Sequence, residues 1–163
     1  MSDILVTWYS RSGSTESAAR ALAKRLDADA EPILSQVSYD GAGGFLQGVW
    51  DSLWRKAPPV QIGVNPTRYR LVVVAAPVWA GKAAAPVRAF LHRHGPRCRS
   101  VAAVCLSGSG GAYPEALAEL EDLAGSPLVA TLSLSQQKAL SPDVGPILDG
   151  FAQALRGRQA VAA

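Results

Sequence analysis

Residues 4–15, Ile4-Leu5-Val6-Thr7-Trp8-Tyr9-Ser10-Arg11-Ser12-Gly13-Ser14-Thr15, decide how this chain is read. Ile4 to Trp8 is a short run rich in β-branched and apolar residues, which predicts a strand. Ser14 to Leu26 places Ala18, Leu22 and Leu26 on one helical face, which predicts a helix. Between the two, Ser10-Arg11-Ser12-Gly13-Ser14-Thr15 sets four hydroxyls and a glycine at the start of that helix. The first N–H groups of a helix have no intrahelical partner, and the helix dipole makes that end positive. Hydroxyls add donors, and glycine lets the backbone curl round an anion. One hydroxyl suffices for a simple N-cap. Four of them point to a phosphate cradle.

The same alternation continues outward. Ala30 to Leu34 reads as a second strand, and Pro32 within it suits a sheet edge. Leu71 to Ala76 is apolar at every position, as a strand buried on both faces is. Pro86 to His94 is a helix stopped by Gly95-Pro96. Val101 to Leu106 is another fully apolar strand. Pro114 opens a helix carrying Leu117, Leu120 and Ala124, and Gly125 closes it. Leu128 to Leu134 alternates apolar and polar, as an edge strand does. Ser141-Pro142-Asp143 starts a last helix striped by Val144, Ile147, Leu148, Phe151 and Leu155. Five strands alternating with helices predict an α/β fold of three layers, doubly wound, with a five-stranded parallel sheet in the order 2-1-3-4-5. All 163 residues form one domain on this reading, with the tail from Gly157 to Ala163 fraying.

Composition is that of a globular protein, with 48% hydrophobic and 18% charged residues. No apolar run has the length of a membrane span, and Met1-Ser2-Asp3 leads straight into the first strand, so a cytoplasmic protein with no membrane partner is expected. The net charge is +3. Arg88, His92, Arg93, His94, Arg97 and Arg99 cluster, and they read as a solvated helix end rather than a nucleic-acid site, because no aromatic residues interleave them. Cys105 lies in an apolar run. Cys98 sits between Arg97 and Arg99, whose charges favour its thiolate. The two are placed too far apart for a disulfide. No Cys-x-x-Cys occurs, so no metal site is indicated.

In an open α/β sheet, ligands bind beyond the carboxyl ends of the strands where the winding reverses, here between strands one and three. After strand three comes Pro77-Val78-Trp79-Ala80-Gly81-Lys82. Trp79 can project into the crevice and stack on a flat ring, or it can cover core. After strand four comes Ser107-Gly108-Ser109-Gly110-Gly111-Ala112-Tyr113. Its glycines permit close backbone approach to a ligand, with N–H groups meeting the polar edge of a heterocycle and Tyr113 stacking on a ring. A flexible turn is the alternative. The spacing is neither Gly-x-Gly-x-x-Gly nor a Walker loop. No nucleophile–base arrangement is visible, and His92 and His94 point in different directions. No catalytic side chain is assigned. Any chemistry belongs to a bound cofactor.

With these motifs in place, the chain resembles the short-chain flavodoxin family over nearly its whole length. Ile4 to Thr15, ILVTWYSRSGST, resembles that family's first strand and phosphate loop. Ala76 to Gly81, APVWAG, resembles its second flavin loop, and Ser107 to Gly111 occupies the third. The resemblance implies FMN, with its phosphate held by Ser10, Ser12, Gly13, Ser14 and Thr15. Arg11 either joins that contact or points to solvent. It implies ring packing around Pro77, Val78, Trp79, Ala80 and Gly81, and main-chain contacts from Ser107, Gly108, Ser109, Gly110 and Gly111 beside Tyr113. The implied function is FMN-dependent redox chemistry with a small-molecule or protein partner: electron transfer, or reduction of an acceptor such as a quinone. An interaction module that binds no flavin is the alternative. Acidic electron carriers keep carboxylates around their flavin. This chain has a pI near 9.1 and carries Arg11 and Lys82 in its loops, so a higher two-electron potential is expected.

Asp40-Gly41-Ala42-Gly43-Gly44 precedes a paired apolar stripe, Phe45, Leu46, Val49, Trp50, Leu53 and Trp54, at helical spacing. It reads first as a helix packed on the sheet. The sharper reading is a surface near the flavin edge or a homodimer interface. Arg55-Lys56-Ala57-Pro58-Pro59 ends that helix.

Overall fold

The computed structural model describes residues 2–53 and 58–161. Strand β1 (Ile4–Trp8) leads into α1 (Ser14–Leu26). Then come β2 (Asp29–Pro32), β3 (Leu34–Ser35), α2 (Gly41–Leu53), β4 (Val60–Gln61) and β5 (Leu71–Trp79). β6 (Lys82–Ala83), α3 (Ala85–His94), β7 (Val101–Ser107) and α4 (Pro114–Ala124) follow. β8 (Thr131–Ser135), α5 (Gln136–Ala139) and α6 (Val144–Val161) complete the order. The main sheet runs β2-β1-β5-β7-β8, with all four pairings parallel. That is the 2-1-3-4-5 winding the sequence predicts.

The sheet is buried on both faces. Along β5, Leu71, Val73 and Ala75 join Val6, Leu22 and Phe151 in the core beneath α1 and α6. Val72, Val74 and Ala76 join Leu5, Phe90 and Leu120 in the core beneath α3 and α4. This is why β5 and β7 carry no polar alternation. Burying a large aliphatic side chain stabilises the fold by roughly 1.5–3 kcal/mol. The two cores therefore hold the carboxyl ends of β1, β5 and β7 in fixed positions relative to one another.

Several boundaries differ from those read in the sequence. The second strand spans Asp29–Pro32 rather than Ala30–Leu34. Proline has no N–H to continue the ladder, so the strand's parallel bonding ends with Ile33 N–H donating to Trp8 O at 2.7 Å. Leu34 turns away into an antiparallel pair with β4. The third strand runs past Ala76 to Trp79, then reverses through Ala80 and Gly81 into β6. Both turn residues have positive φ, 49° and 78°, as a two-residue hairpin matched to the strand twist requires. Pro77, Val78 and Trp79 are thus strand residues, not loop residues.

The fifth strand spans Thr131–Ser135, although Val129 and Ala130 already bond to β7. The short α5 follows it, with Ser135 Oγ accepting from Lys138 N–H at 2.9 Å, and α6 starts after Asp143. Helix α6 continues through Gly157 to Val161, where the sequence suggests a loose tail; Ala162 and Ala163 lie outside the described residues. The expected helix stop at Arg55–Ala57 also lies outside them. Among the described residues no helix is long and apolar enough to cross a membrane.

The basic cluster is not a uniform solvated helix end. Arg88 is buried and pairs with Glu119 of α4, with Nε 3.2 Å from Oε1. Val87, Phe90 and Leu91 bury the same face of α3, so Arg88 is carried inward with them. Cys98 and Cys105 are both free and buried. Burial pushes the Cys98 thiol up, and Arg97 only partly offsets it, so the expected thiolate is not favoured. The Cys98 Sγ–H instead donates to His94 O at 3.3 Å.

Candidate site at the carboxyl edge of the sheet

The site is built where β1 and β5 end side by side, the point at which the winding reverses. The loop after β1 turns through Gly13, whose φ of 92° lies in the left-handed region that favours glycine. Ser10 Oγ braces that turn by accepting from Gly13 N–H at 3.0 Å. Gly13 is then the N-cap of α1, and no side chain caps the helix. Ser14 and Thr15 are nearly buried in the first turn, while Arg11, Ser12 and Gly13 are exposed. The first-turn N–H groups lie at a positive helix end with no side-chain cap among the described residues, and Ser12, Ser14 and Thr15 belong to the same stretch. This is the donor set a phosphate needs. Of the four hydroxyls, Ser10 serves the loop's own shape.

The other two segments stand at the same edge. The β5–β6 hairpin presents Val78, Ala80 and Gly81. Trp79 does not project into the crevice as a free stacking face. It is 5% exposed and packs with Tyr39, ring centres 5.5 Å apart, and edge-on with Tyr9 at 5.8 Å. Of its two sequence readings, the core-covering one describes its position. Tyr9 is the half-buried member of that cluster. Burial, then the charge of Asp40, push its phenol up to about 12, against a smaller opposing effect from Arg11. It stays a neutral hydroxyl through the physiological range.

The third segment is a braced loop rather than a flexible turn. Ser107 Oγ accepts from Gly110 N–H at 2.9 Å, and Ser109 Oγ accepts from Gly111 N–H at 3.2 Å. Gly110 has φ 73°, and a Cβ there would meet Ser135 N at 2.8 Å. Two of the loop's N–H groups are thus spent on its own shape. The hydroxyls of Ser109 and Tyr113 lie 3.1 Å apart, and hydrogen bonds from Ser109 and Ser107 pull the Tyr113 phenol down.

Two features of the site are not evident in the sequence. Tyr39 becomes a wall of the aromatic cluster through the connection after β3, and only tertiary packing brings it to Trp79. Arg11 lies with its guanidinium 4.9 Å above the Phe45 ring, which joins the loop after β1 to α2. That helix is not sealed against the sheet. Phe45, Leu46 and Trp50 are 40%, 68% and 54% exposed. The side chains of Val49 and Leu53, and all of Trp54, lie outside the described residues. Lys82 reaches Glu115 at 3.3 Å.

The fold is the doubly wound flavodoxin type. No protein-family profile matches the chain, and no curated protein matches it. Solved structures do. A flavoprotein of Lactobacillus acidophilus NCFM in complex with FMN superposes with a TM-score of 0.67 at 21% identity, covering 80% of this chain and 92% of its own. A Bacteroides uniformis ATCC 8492 protein provisionally named a flavoprotein gives a TM-score of 0.77 at 18% identity, covering 93% and 98%. The Fusobacterium nucleatum flavodoxin bound to flavin mononucleotide gives 0.56 at 12% identity, covering 94% and 96%. At these identities the likeness establishes the architecture.

Proposed function

We propose that the chain is an FMN-binding redox protein that exchanges electrons with a small acceptor of the quinone type or with a protein partner. The observation that carries this reading is the uncapped first turn of α1 behind Gly13, set at the β1/β5 switch point on the sheet edge that also carries the hairpin and the Ser107–Gly111 loop. The residues fit the cofactor. Ser12, Gly13, Ser14 and Thr15 would hold its phosphate, with Ser10 fixing the turn. The hairpin residues Val78, Ala80 and Gly81 would flank its ring, with Gly108, Ser109 and Tyr113 at the far side. Pro77 and Trp79 would support that wall from within. Bound FMN would supply reversible electron uptake, while the chain binds, orients and tunes it. No side chain is assigned a proton transfer. Two buried free thiols suit a reducing, cytoplasmic setting.

The exposed Phe45, Leu46 and Trp50, joined to the phosphate loop by Arg11, favour α2 as the surface where a redox partner or a second copy docks. Arg11 also keeps a positive charge beside the loop, whereas Glu115 balances Lys82. Arg11→Gln should therefore lower the flavin's two-electron potential more than Lys82→Gln does. A potentiometric titration giving the reverse order would remove Arg11 from the tuning role. The visible spectrum of the purified protein, before and after FMN is added, tests the reading itself. Flavin absorption that stays with the protein through gel filtration is expected. A colourless protein that retains no added FMN would overturn the proposal and leave the α2 face as the functional surface of an interaction module.

A further inference from the structure

The loop after β7 carries a linked set of hydroxyls that the redox reading above leaves without a chemical role. Tyr113 Oη lies 3.1 Å from Ser109 Oγ, and Ser107 hydrogen-bonds the same phenol. Reduction of a quinone-type acceptor to its hydroquinone takes two electrons and two protons. Bound flavin would supply the electrons, and no side chain has yet been assigned a proton. We propose that Tyr113 is the proton donor to the acceptor, with Ser107 and Ser109 as positioning residues that act through its phenol oxygen.

The direction of the hydrogen bonds carries the argument. A serine hydroxyl has one donor and two acceptor sites. Ser107 Oγ accepts from Gly110 N–H at 2.9 Å, and Ser109 Oγ accepts from Gly111 N–H at 3.2 Å. Each oxygen is thus engaged by the backbone, which leaves its own O–H to donate to Tyr113. A phenol oxygen that receives these bonds keeps its own proton free to leave. Hydrogen bonds donated to the charged form favour that form. Ser109, then Ser107, accordingly hold the phenol below the usual tyrosine value, against a smaller opposing effect of burial. Gly110, at φ 73° and close against Ser135, fixes the loop that aims the two serines. The network does for a phenolate what preorganised donors do for an oxyanion.

Other titratable groups are placed less well. Burial pushes Tyr9 up to about 12, so two tyrosines from the same sheet edge are driven in opposite directions. His92 and His94 lie at the far end of α3, Cys98 and Cys105 are buried, and Lys82 is held by Glu115 at 3.3 Å. The Tyr113 phenol is open to solvent, where a small acceptor can reach it. The step balances. The acceptor takes a hydride equivalent, two electrons and one proton, from the reduced flavin. An acceptor oxygen takes the second proton from Tyr113, whose O–H bond breaks as the hydroquinone O–H bond forms. The phenolate, held by the two serines, recovers a proton from water.

The inference rests on the flavin reading, and two measurements separate their failures. The first is an ultraviolet titration of the tyrosines in flavin-free protein. Of the four tyrosines, Tyr9 and Tyr69 are raised to about 12 and Tyr39 is buried, so Tyr113 should ionise first, below 10.0. Tyr113→Phe should remove that phase, and Ser109→Ala should move it upward. The second is reoxidation of the reduced, FMN-loaded protein by tetramethylbenzoquinone, which needs protons, and by ferricyanide, which takes an electron and no proton. Tyr113→Phe keeps the ring and loses the hydroxyl. It should lower the ratio of the quinone rate to the ferricyanide rate at least about tenfold. A Tyr113 that ionises no earlier than free tyrosine, a ratio the variant leaves unchanged, or loaded protein that passes electrons to ferricyanide alone overturns the proton donor and leaves flavin binding standing. Protein that holds no FMN overturns both.

Discussion

Gly13 and Gly110 both hold left-handed φ values, 92° and 73°, but only one of them is crowded. A Cβ at Gly13 meets nothing within 4 Å, whereas a Cβ at Gly110 meets Ser135 N at 2.8 Å and Ser135 Cβ at 2.9 Å. Gly13→Ala therefore introduces backbone strain alone, about 1–2 kcal/mol for an L-residue in this region. Gly110→Ala adds an overlap with the backbone of β8, which cannot swing away as a flexible side chain can. Overpacking of that kind costs a further 1–3 kcal/mol or so, giving roughly 2–5 kcal/mol in all. For a chain of this size about 1 kcal/mol lowers Tm by roughly 2–4 °C, so Gly13→Ala should lose about 2–8 °C and Gly110→Ala distinctly more. Calorimetry of the flavin-free protein measures both. Equal losses would show that contact with β8 does not hold the third loop, and the argument for a braced Ser107–Gly111 segment would fail.

Thr7 is fully buried in β1, and its Oγ1 has no hydrogen-bond partner among the described residues, so the isosteric Thr7→Val should raise stability by about 1–3 kcal/mol, read as a higher urea midpoint with unchanged slope. Arg88→Met removes one partner of the buried pair with Glu119 and should cost about 3–5 kcal/mol, while Arg88→Met combined with Glu119→Leu should recover most of that loss; a double variant as unstable as the single would refute the pairing. Cys105 is raised from 9.0 to about 11 by burial, so between those values the unfolded chain releases a proton that the folded chain keeps. Stability is therefore full below about pH 9 and falls as pH rises toward 11, and Cys105→Ala should flatten that decline in a series of urea midpoints.

The order of the sheet was legible because its signals are local and repeated: apolar runs at β1, β5 and β7, and Pro32 and alternation at the edges. The turn into α1 was legible for the same reason, since the hydroxyls and Gly13 of the proposed cradle sit together in sequence. What could not be read were positions decided by distant packing. Pro77 looks like a strand end, yet β5 continues through it because Ala84 N–H bonds back to Pro77 O at 2.9 Å across the hairpin. Trp79 looks like a ligand face, yet Tyr39 from a remote connection covers it. Arg88 looks solvated until α4 brings Glu119 to it. The exposed face of α2 ran the other way. Its stripe reads as core, but Phe45, Leu46 and Trp50 are exposed.

The two rims of the main sheet are guarded unequally against another copy of the chain. At β2, Asp29 and Glu31 place charge along the strand, Pro32 removes a donor, and the β3–β4 pair begins just past it, all of which discourage strand addition. β8, Thr-Leu-Ser-Leu-Ser, carries no charge and no proline and forms the opposite rim. When the chain is heated or partly opened, self-templated polymerisation should therefore grow from β8. A gatekeeper charge at the exposed Thr131 is the smallest change that would close this route.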